Sequence, residues 1–352
     1  MKELLFIDKN PFGILVDTYK YCQYLKEEYD ITYVCIDYGY KKLSMEGVKV
    51  VYAPNINSKL FRGIVFTCLA LLYALKSKGF IFVTYYKGCE ILKKLLFWKR
   101  MHVDVRTLSV SPDVEKRAEW NSRLNKTIIQ FNTISFITEG IKKQLSVPRE
   151  KEAFVIPLGA DAISLKDKTF DSFKLLYVGT LYNRRIIDTV IGLRKFVDNH
   201  KDIDVHYTII GDGEEFDSLC NYVNSNQLFD IIELKGKIPY SELPPFFDES
   251  NIGVSYVPVT EYYEYQPPTK TFEYIMSGIF CLATNTYENK RIVNERNGLL
   301  HVDSPDGFCE ALESLLGIRD KISSQDVRKS LHGYSWREIV ENKVKPMIES
   351  CI

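Results

Sequence analysis

The sequence predicts an α/β protein with two doubly wound units that face each other across a cleft. Short apolar runs alternate with longer stretches of helical periodicity along the chain, which is typical of parallel sheets with crossover helices. The alternation pauses at a polar stretch, residues 164–172, and starts afresh at Lys174. A length of 352 residues also suits two domains of ordinary size.

The first half of the chain contains a complete set of alternating elements. The runs that predict strands are Leu4–Ile7, Ile31–Ile36, Val48–Tyr52, Phe80–Val83, Val103–Leu108 and Ile134–Phe136. The runs that predict helices are Val16–Tyr29, Phe61–Lys76, Glu90–Lys99 and Val114–Phe131. We expect residues 1–158 to form the N-terminal domain.

The second half repeats the pattern. The runs that predict strands are Lys174–Val178, Val205–Ile210, Ile231–Lys235, Ile252–Tyr256, Phe280–Ala283 and Gly298–His301. We expect residues 159–334 to form the C-terminal domain. Ser335 is a suitable N-cap for a final helix that reaches Glu349.

The composition argues against several classes of protein. The formal net charge is zero, so no overall field attracts nucleic acid. The eight cysteines are scattered and share no metal-ligand spacing with the five histidines, which predicts reduced thiols and no metal site. Met1 is followed almost at once by a strand, which leaves no room for a signal peptide. We therefore expect a cytoplasmic protein.

The stretch from residue 59 to residue 101 is locally cationic, with nine basic residues against one acid. It includes the longest apolar run, Ile64–Leu75, which is shorter than the roughly 20 residues that span a bilayer. Residues 90–101 mix lysines with leucines, Phe97 and Trp98, the make-up of an interfacial helix. We expect residues 90–101 to contact the inner face of a membrane. A solvated basic face over a core stripe is the alternative.

Three turns in the second half carry the predicted chemistry. The first turn follows a strand and contains Gly179, Thr180, Arg184 and Arg185. Glycine lets the backbone approach a ligand closely, and the next helix start and the arginines offer donors to phosphate. A plain strand-to-helix turn with surface arginines is the alternative.

The second turn is Gly211-Asp212-Gly213, which also follows a predicted strand. Phe216 stands where the dinucleotide fingerprint requires a third glycine, so a hydride-transfer site is disfavoured. A phosphate or sugar contact remains open. A tight turn shaped by two glycines explains the pattern equally well.

The third turn is a helix start that contains Thr269, Lys270 and Glu273. Lys270 and Glu273 are three residues apart, so they project from neighbouring positions of the first helical turn. A carboxylate there can accept from both hydroxyls of a ribose, and an ammonium can neutralise a departing diphosphate. An ordinary surface ion pair is the alternative.

The order of these turns is more specific than any one of them. Together with Gly236-Lys237-Ile238-Pro239 and Asn297-Gly298, it resembles the group 1 (family 4) retaining glycosyltransferases over residues 156–336. The resemblance implies the GT-B fold, in which two Rossmann-like domains face each other and a final helix crosses back to the N-terminal domain. Residues 335–352 would then belong to that domain.

Carried over by position, the resemblance implies a UDP- or GDP-sugar donor. Glu273 would bind the ribose, and Arg185 would meet the diphosphate, with Arg184 as the second choice. Gly13 would lie under the diphosphate, and Ile238 would lie beside the base. We expect the acceptor to be a glycan or a lipid-linked molecule.

Two departures from the family leave the donor sugar open. Tyr265 stands where the family has the first glutamate of its E-x7-E signature, and Pro267-Pro268 replace small, amide-rich positions near the sugar. The family also commonly has a lysine soon after the arginine, whereas Ile186 follows here. We expect Lys270 to restore that positive charge.

Glycosyl transfer builds negative charge on the departing diphosphate, which Arg185 and Lys270 could stabilise without a metal ion. On the acceptor side the candidate is Asp104, which strand alternation points to the same side as Arg106. A buried structural Asp–Arg pair is the alternative. A sugar-nucleotide epimerase and a catalytically silent nucleotide-binding partner are the competing functions.

Overall fold

The protein, described here by a computed structural model over residues 1–351, forms two compact units. Unit 1 comprises Met1–Gly159 and the chain from Trp336 onward, and unit 2 comprises Ala160–Ser335. Each unit is built on one parallel sheet with helices. The predicted α/β class with two doubly wound units is therefore confirmed.

Unit 1 has a seven-stranded sheet. Its strands are β1 Lys2–Ile7, β2 Tyr29–Ile36, β3 Val48–Ala53, β4 Phe80–Thr84, β5 His102–Val105, β6 Thr133–Phe136 and β7 Glu152–Val155. They pair in parallel in the order β3-β2-β1-β4-β5-β6-β7. The helices between them are α1 Val16–Leu25, α2 Lys59–Lys76, α3 Glu90–Leu95, α4 Val114–Ile128 and α5 Glu139–Gln144.

Unit 2 has a six-stranded sheet. Its strands are β8 Phe173–Val178, β9 Val205–Ile210, β10 Ile232–Gly236, β11 Ile252–Ser255, β12 Phe280–Thr284 and β13 Gly298–His301. They pair in parallel in the order β10-β9-β8-β11-β12-β13. The helices are α6 Ile187–Asn199, α7 Phe216–Ser225, α8 Pro244–Glu249, α9 Thr269–Met276, α10 Asn289–Ile292, α11 Pro305–Ile318 and α12 Ser324–Lys329.

The C-terminal segment belongs to unit 1, where it packs against α1. It consists of α13 Trp336–Ile339, a π-helical segment Val340–Val344 and α14 Lys345–Cys351. The rings of Trp336 and Tyr21 of α1 meet edge to face, with centres 6.2 Å apart. A Cβ on Gly159 would lie 2.6 Å from the Trp336 ring, so glycine makes room for this contact.

The central strands are buried along their whole length, as expected when helices cover both faces of a parallel sheet. In unit 2 the strand order reverses direction between β8 and β11. Open α/β sheets bind ligands at such a switch point, beyond the carboxyl ends of the strands. This rule directs attention to the turns that follow β8 and β9.

The run predicted as a helix from Glu90 to Lys99 is helical only as far as Leu95. The ammonium of Lys93 donates to the carbonyl oxygens of Phe97 at 2.9 Å and Lys99 at 2.6 Å, which holds the next residues in a turn. The short elements α5 and β7 were not predicted, because runs of six and four residues give little periodicity to recognise. None of the helices described between residues 1 and 351 combines the length and apolar character that crossing a bilayer requires.

Candidate functional site

Two glycine turns of unit 2 are in direct contact at the carboxyl edge of its sheet. A side chain at Gly211, after β9, would overlap the carbonyl oxygen of Gly179, after β8. A Cβ at Gly213 would lie 2.6 Å from the carbonyl carbon of Leu181. The Leu181 N–H also donates to the Asp212 carbonyl at 3.0 Å. The two turns therefore form one continuous surface.

The start of α9 brings Lys270 onto this surface. Its ammonium nitrogen lies 3.7 Å from the centre of the Tyr177 ring. The Tyr177 hydroxyl donates to the Thr180 carbonyl at 2.7 Å, which fixes the ring under the ammonium. A Cβ on Gly179 would lie 2.9 Å from the same ammonium, so glycine leaves room for it. Thr269, the first residue of α9, is exposed beside Lys270.

Arg184 and Lys270 form a pair of half-buried cations, each on a tyrosine ring. The guanidinium carbon of Arg184 lies 4.3 Å from the centre of the Tyr263 ring. Burial, followed by the positive charge of Arg184, lowers the pKa of Lys270 well below its ordinary value. Among the residues that the structure describes, no carboxylate pairs with either cation. Glu273 attracts the Lys270 ammonium only weakly, so an anionic ligand at this site would stabilise the charged form of Lys270 and pair with Arg184.

Arg185 has a different environment from its neighbour. Its guanidinium is bound by Asp188 at 2.5 Å and by Asp303 at 3.3 Å. The Tyr256 hydroxyl also donates to Asp188, at 2.7 Å. The resemblance made Arg185 the first choice for the diphosphate and Arg184 the second. The geometry favours the reverse order, because the charge of Arg185 is already neutralised.

The side-chain carboxylate of Glu215 binds backbone N–H groups at the start of α6. One oxygen of this carboxylate accepts from the N–H groups of Arg184 at 2.6 Å and Arg185 at 3.0 Å. The other accepts from the Ile186 N–H at 3.1 Å. A helix start stabilises an anion in this way, and here the protein supplies the anion itself. These three N–H groups are therefore occupied by Glu215, and a phosphate could reach them only by displacing this carboxylate.

Glu273 lies one helical turn from Lys270 and faces Tyr240. The Tyr240 hydroxyl donates to Oε1 of Glu273 at 3.2 Å. Burial raises the pKa of Glu273 from its ordinary value of 4.5 to about 7, against smaller opposing effects of Tyr240 and Lys270. Ile238, predicted to lie beside the base, is half-buried two residues before Tyr240. The carboxylate of Glu273 thus accepts one hydrogen bond from the protein, and its ionisation remains unfavourable unless further donors bind it.

Tyr265 occupies the position of the missing glutamate. Its ring packs against Tyr287, with centres 5.1 Å apart and a tilt of 60°. It therefore offers an aromatic face where the resemblance implies a carboxylate. Within residues 1–351, no group of three or more histidine, cysteine or acidic side chains is arranged to hold a metal ion.

Asp104, in unit 1, is fully buried in β5. Ser135 donates to it at 2.5 Å, and the same hydroxyl is 2.8 Å from Nε2 of His102. Arg106 lies 3.8 Å from Asp104 and forms its closer ion pair with Asp17. Burial raises the pKa of Asp104 to about 6. This enclosed network fits the structural alternative better than contact with an acceptor.

Gly13 lies in the loop after β1, also in unit 1, with a φ of +89° that favours glycine. A Cβ there would lie 2.5 Å from the side chain of Leu43. Sequence reasoning missed three residues of the unit 2 site: Glu215, Tyr240 and Tyr263. Glu215 lies two residues after Gly213, and Tyr240 follows Ile238-Pro239, so proximity to the motifs was the available signal.

Residues 172–317 match a family model described as glycosyl transferases group 1. The matched span contains all three turns of the unit 2 site. No curated protein sequence shows a significant match to the chain.

Solved structures share the fold over nearly the whole chain. A sucrose-phosphate synthase from Thermosynechococcus elongatus has 14% sequence identity and a TM-score of 0.78, covering 99% of both chains. A glycosyltransferase from Rickettsia africae has 13% identity and a TM-score of 0.74, covering 99% of this chain and 98% of that one. The Anabaena protein HepE, solved with UDP and glucose, has 10% identity and a TM-score of 0.73, covering 99% and 100%. At such identities the likeness shows the GT-B fold alone.

Proposed function

From a chain of GT-B fold whose residues 172–317 form a group 1 glycosyltransferase domain, we propose a specific reaction. The protein transfers a sugar, with retention and without a metal ion, from a UDP- or GDP-sugar to a glycan or lipid-linked acceptor. The observation that carries this proposal is the pair of cations, Arg184 and Lys270, that lack a carboxylate partner among the described residues. Retention is supported by the succession of family motifs around them.

The two cations suit the leaving group of this reaction. As the bond from the anomeric carbon to the phosphate oxygen breaks, negative charge grows on the departing diphosphate. Lys270 supplies a point charge, and Arg184 supplies a planar fork that fits phosphate oxygens. Because both are fixed on tyrosine rings, they lose little freedom when the diphosphate arrives. Positive charge from side chains takes the place of a metal ion.

Glu273 suits the ribose of the donor. Two vicinal hydroxyls can donate to one carboxylate, and such bonds favour the ionised form. They would offset the burial that raises the pKa of Glu273. Ile238 lies on the same loop as Tyr240, where an apolar side chain can contact the base. The UDP and glucose in the Anabaena structure support a uridine donor for a protein of this fold.

Thermal-shift measurements with UDP, GDP and CMP test the donor class, because a ligand that binds only the folded state raises the apparent melting temperature. We expect UDP or GDP to stabilise the protein and CMP to have little effect. Lys270→Ala should abolish the stabilisation. Lys201→Ala, an exposed lysine in the turn before β9, is the matched control and should retain it. A chain stabilised by none of the three would contradict the proposal.

Enzyme assays with a sugar donor that carries the stabilising nucleotide test metal independence and retention. Activity should be unchanged by excess EDTA, and the anomeric proton of the product should show the configuration of the donor by NMR. Loss of activity in EDTA that magnesium or manganese restores would overturn metal independence. An inverted product would overturn retention, with the transferase assignment left standing.

A further inference from the structure

Unit 1 exposes an apolar stripe along α2. Five side chains spaced three or four residues apart face solvent, namely Phe61, Ile64, Cys68, Leu72 and Leu75. The opposite side of the helix buries Phe66, Ala70 and Ala74 in the core. An ordinary surface helix has polar residues on its outer side. This helix has apolar residues on both sides, so its outer stripe is a candidate binding surface.

The next helix extends the apolar surface. Ile91 and Leu95 of α3 are exposed, and in the turn that follows, Phe97 is 72% and Trp98 59% exposed. The rings of Phe97 and Trp98 meet edge to face, with centres 5.0 Å apart. Large aromatic side chains of this kind are rarely exposed side by side without a binding role.

Two observations place these residues on one side of unit 1. The β3-to-β4 and β4-to-β5 connections run in the same direction across the sheet, so right-handed crossovers put α2 and α3 on the same face. The Lys99 ammonium donates to the carbonyl oxygen of Ser77, at the end of α2, at 2.6 Å. We call this surface, formed by the exposed side chains of α2, α3 and residues 96–100, the α2–α3 face.

The α2–α3 face is strongly cationic at its edges. Its exposed basic residues are Lys59, Lys76, Lys94 and Arg100. Arg62, Lys93 and Lys99 are half-buried, and the ammonium groups of Lys93 and Lys99 donate to backbone carbonyl oxygens. The one acid in this stretch, Glu90, has a largely buried side chain and lies 3.9 Å from Arg123 of α4. Arg100 is paired with Glu152 of β7 at 3.2 Å. The face therefore combines an apolar centre with a net excess of exposed cations.

We propose that the α2–α3 face binds the surface of an anionic lipid bilayer. Phe97, Trp98 and the α2 stripe would enter the boundary between headgroups and acyl chains, while the lysines contact lipid phosphates. The expected contact through residues 90–101 is thereby extended to α2, which carries the longer apolar stripe. The proposal is independent of the donor chemistry in unit 2.

A second copy of the chain fits this face less well. A symmetric dimer would use the same patch on both subunits, so the basic rims would lie against each other. Like charges brought together across an interface oppose association. Anionic lipid headgroups supply the opposite charge instead, without any acid from the protein.

Sedimentation of the full chain with vesicles tests the proposal. We expect little binding to vesicles of phosphatidylcholine alone and strong binding when about a third of the lipid is phosphatidylglycerol, since each basic residue near the surface adds attraction. Binding should weaken at about 0.5 M salt, which screens exposed charges. Equal binding to both vesicle types, or none to either, would overturn the proposal.

Two double variants locate the contact. Leu72→Ser with Leu75→Ser, and Phe97→Ser with Trp98→Ser, should each reduce the partition coefficient about tenfold or more, because each removes exposed apolar area. Phe229→Ser, which alters a similarly exposed aromatic side chain of unit 2, is the matched control. A cooperative melting transition within a few degrees of wild type, measured without ligand, would show that the variants are folded.

The oligomeric state of the protein in solution tests whether the α2–α3 face binds a second copy of the chain instead of a bilayer. Light scattering should give a monomer mass for the wild-type protein at micromolar concentrations. A dimer that the Leu72→Ser and Leu75→Ser changes dissociate would assign the face to a second copy and overturn the membrane proposal. Full vesicle binding by both double variants would overturn it as well.

Discussion

The hydroxyl of Tyr240 donates to Oε1 of Glu273 at 3.2 Å, so the carboxylate proposed to bind ribose already has one protein donor. A ribose hydroxyl must share this oxygen or displace the tyrosine. Tyr240 therefore competes for the ligand position that Glu273 offers.

Tyr240→Phe removes that competition but also removes a bond that lowers the pKa of Glu273. Well above pH 7 the carboxylate is ionised in either case, so UDP affinity should rise about threefold, as expected for one modest hydrogen bond. Near pH 6 the gain should disappear, because more of the variant is protonated. Calorimetric titration at both pH values measures this, with Tyr40→Phe, an exposed tyrosine of unit 1, as the control.

Arg184→Ala and Arg185→Ala should have very different effects on the reaction. Removing Arg184 should lower kcat/KM by about tenfold to a hundredfold, the usual range for a charge-assisted bond to phosphate. Removing Arg185 should leave kcat/KM within a fewfold of wild type, because its partners are Asp188 and Asp303. Steady-state kinetics with the preferred donor measures both. The opposite ranking would restore Arg185 as the diphosphate contact.

Glu273→Gln should raise stability at high pH while impairing nucleotide binding. The pKa of Glu273 is raised from 4.5 to about 7 on folding, so its carboxyl group contributes stability below the lower value that is lost as the pH rises through the higher one. A glutamine at this position does not titrate, so its contribution to stability does not change with pH. The melting temperature of the variant should exceed that of wild type at about pH 8 and match it at about pH 4.5. A variant less stable at the higher pH would contradict the raised pKa.

Gly211→Ala should destabilise unit 2 by about 1–3 kcal/mol, since the new methyl group would overlap the backbone oxygen of Gly179. Gly317→Ala is the matched control, because a Cβ at this exposed residue of α11 meets nothing within 4 Å. It should stabilise the helix by up to about 1 kcal/mol. Chemical denaturation measures both. Equal effects of the two changes would refute the contact between the glycine turns.

The sheets could be predicted because their strands are buried, so apolar runs of fixed length mark them directly in the sequence. The site could be predicted only in part. Gly179, Lys270 and Glu273 lie in recognisable motifs, and the structure brings them onto one face of unit 2. The sequence could not predict that Arg185 pairs with carboxylates while Arg184 does not. Arg185 has a φ of +54°, a conformation that periodicity does not reveal.

The hydrogen bonds of Glu215 could not be predicted from the sequence for a related reason. Its three bonds to the start of α6 depend on how two loops fold against each other. No local pattern in the sequence distinguishes that carboxylate from the adjacent Glu214. Long-range pairing between loops is decided by tertiary packing, which propensity and spacing do not encode.

The ammonium held over the Tyr177 ring gives unit 2 a chemically distinctive amine. Because the pKa of Lys270 is well below its ordinary value, a larger share of this side chain is the uncharged nucleophile at neutral pH than of any freely exposed lysine. Small acylating reagents should therefore modify Lys270 early, as peptide mass mapping would show. A nucleoside diphosphate bound at the site should shield it, which offers a covalent reporter of occupancy that needs no knowledge of the sugar.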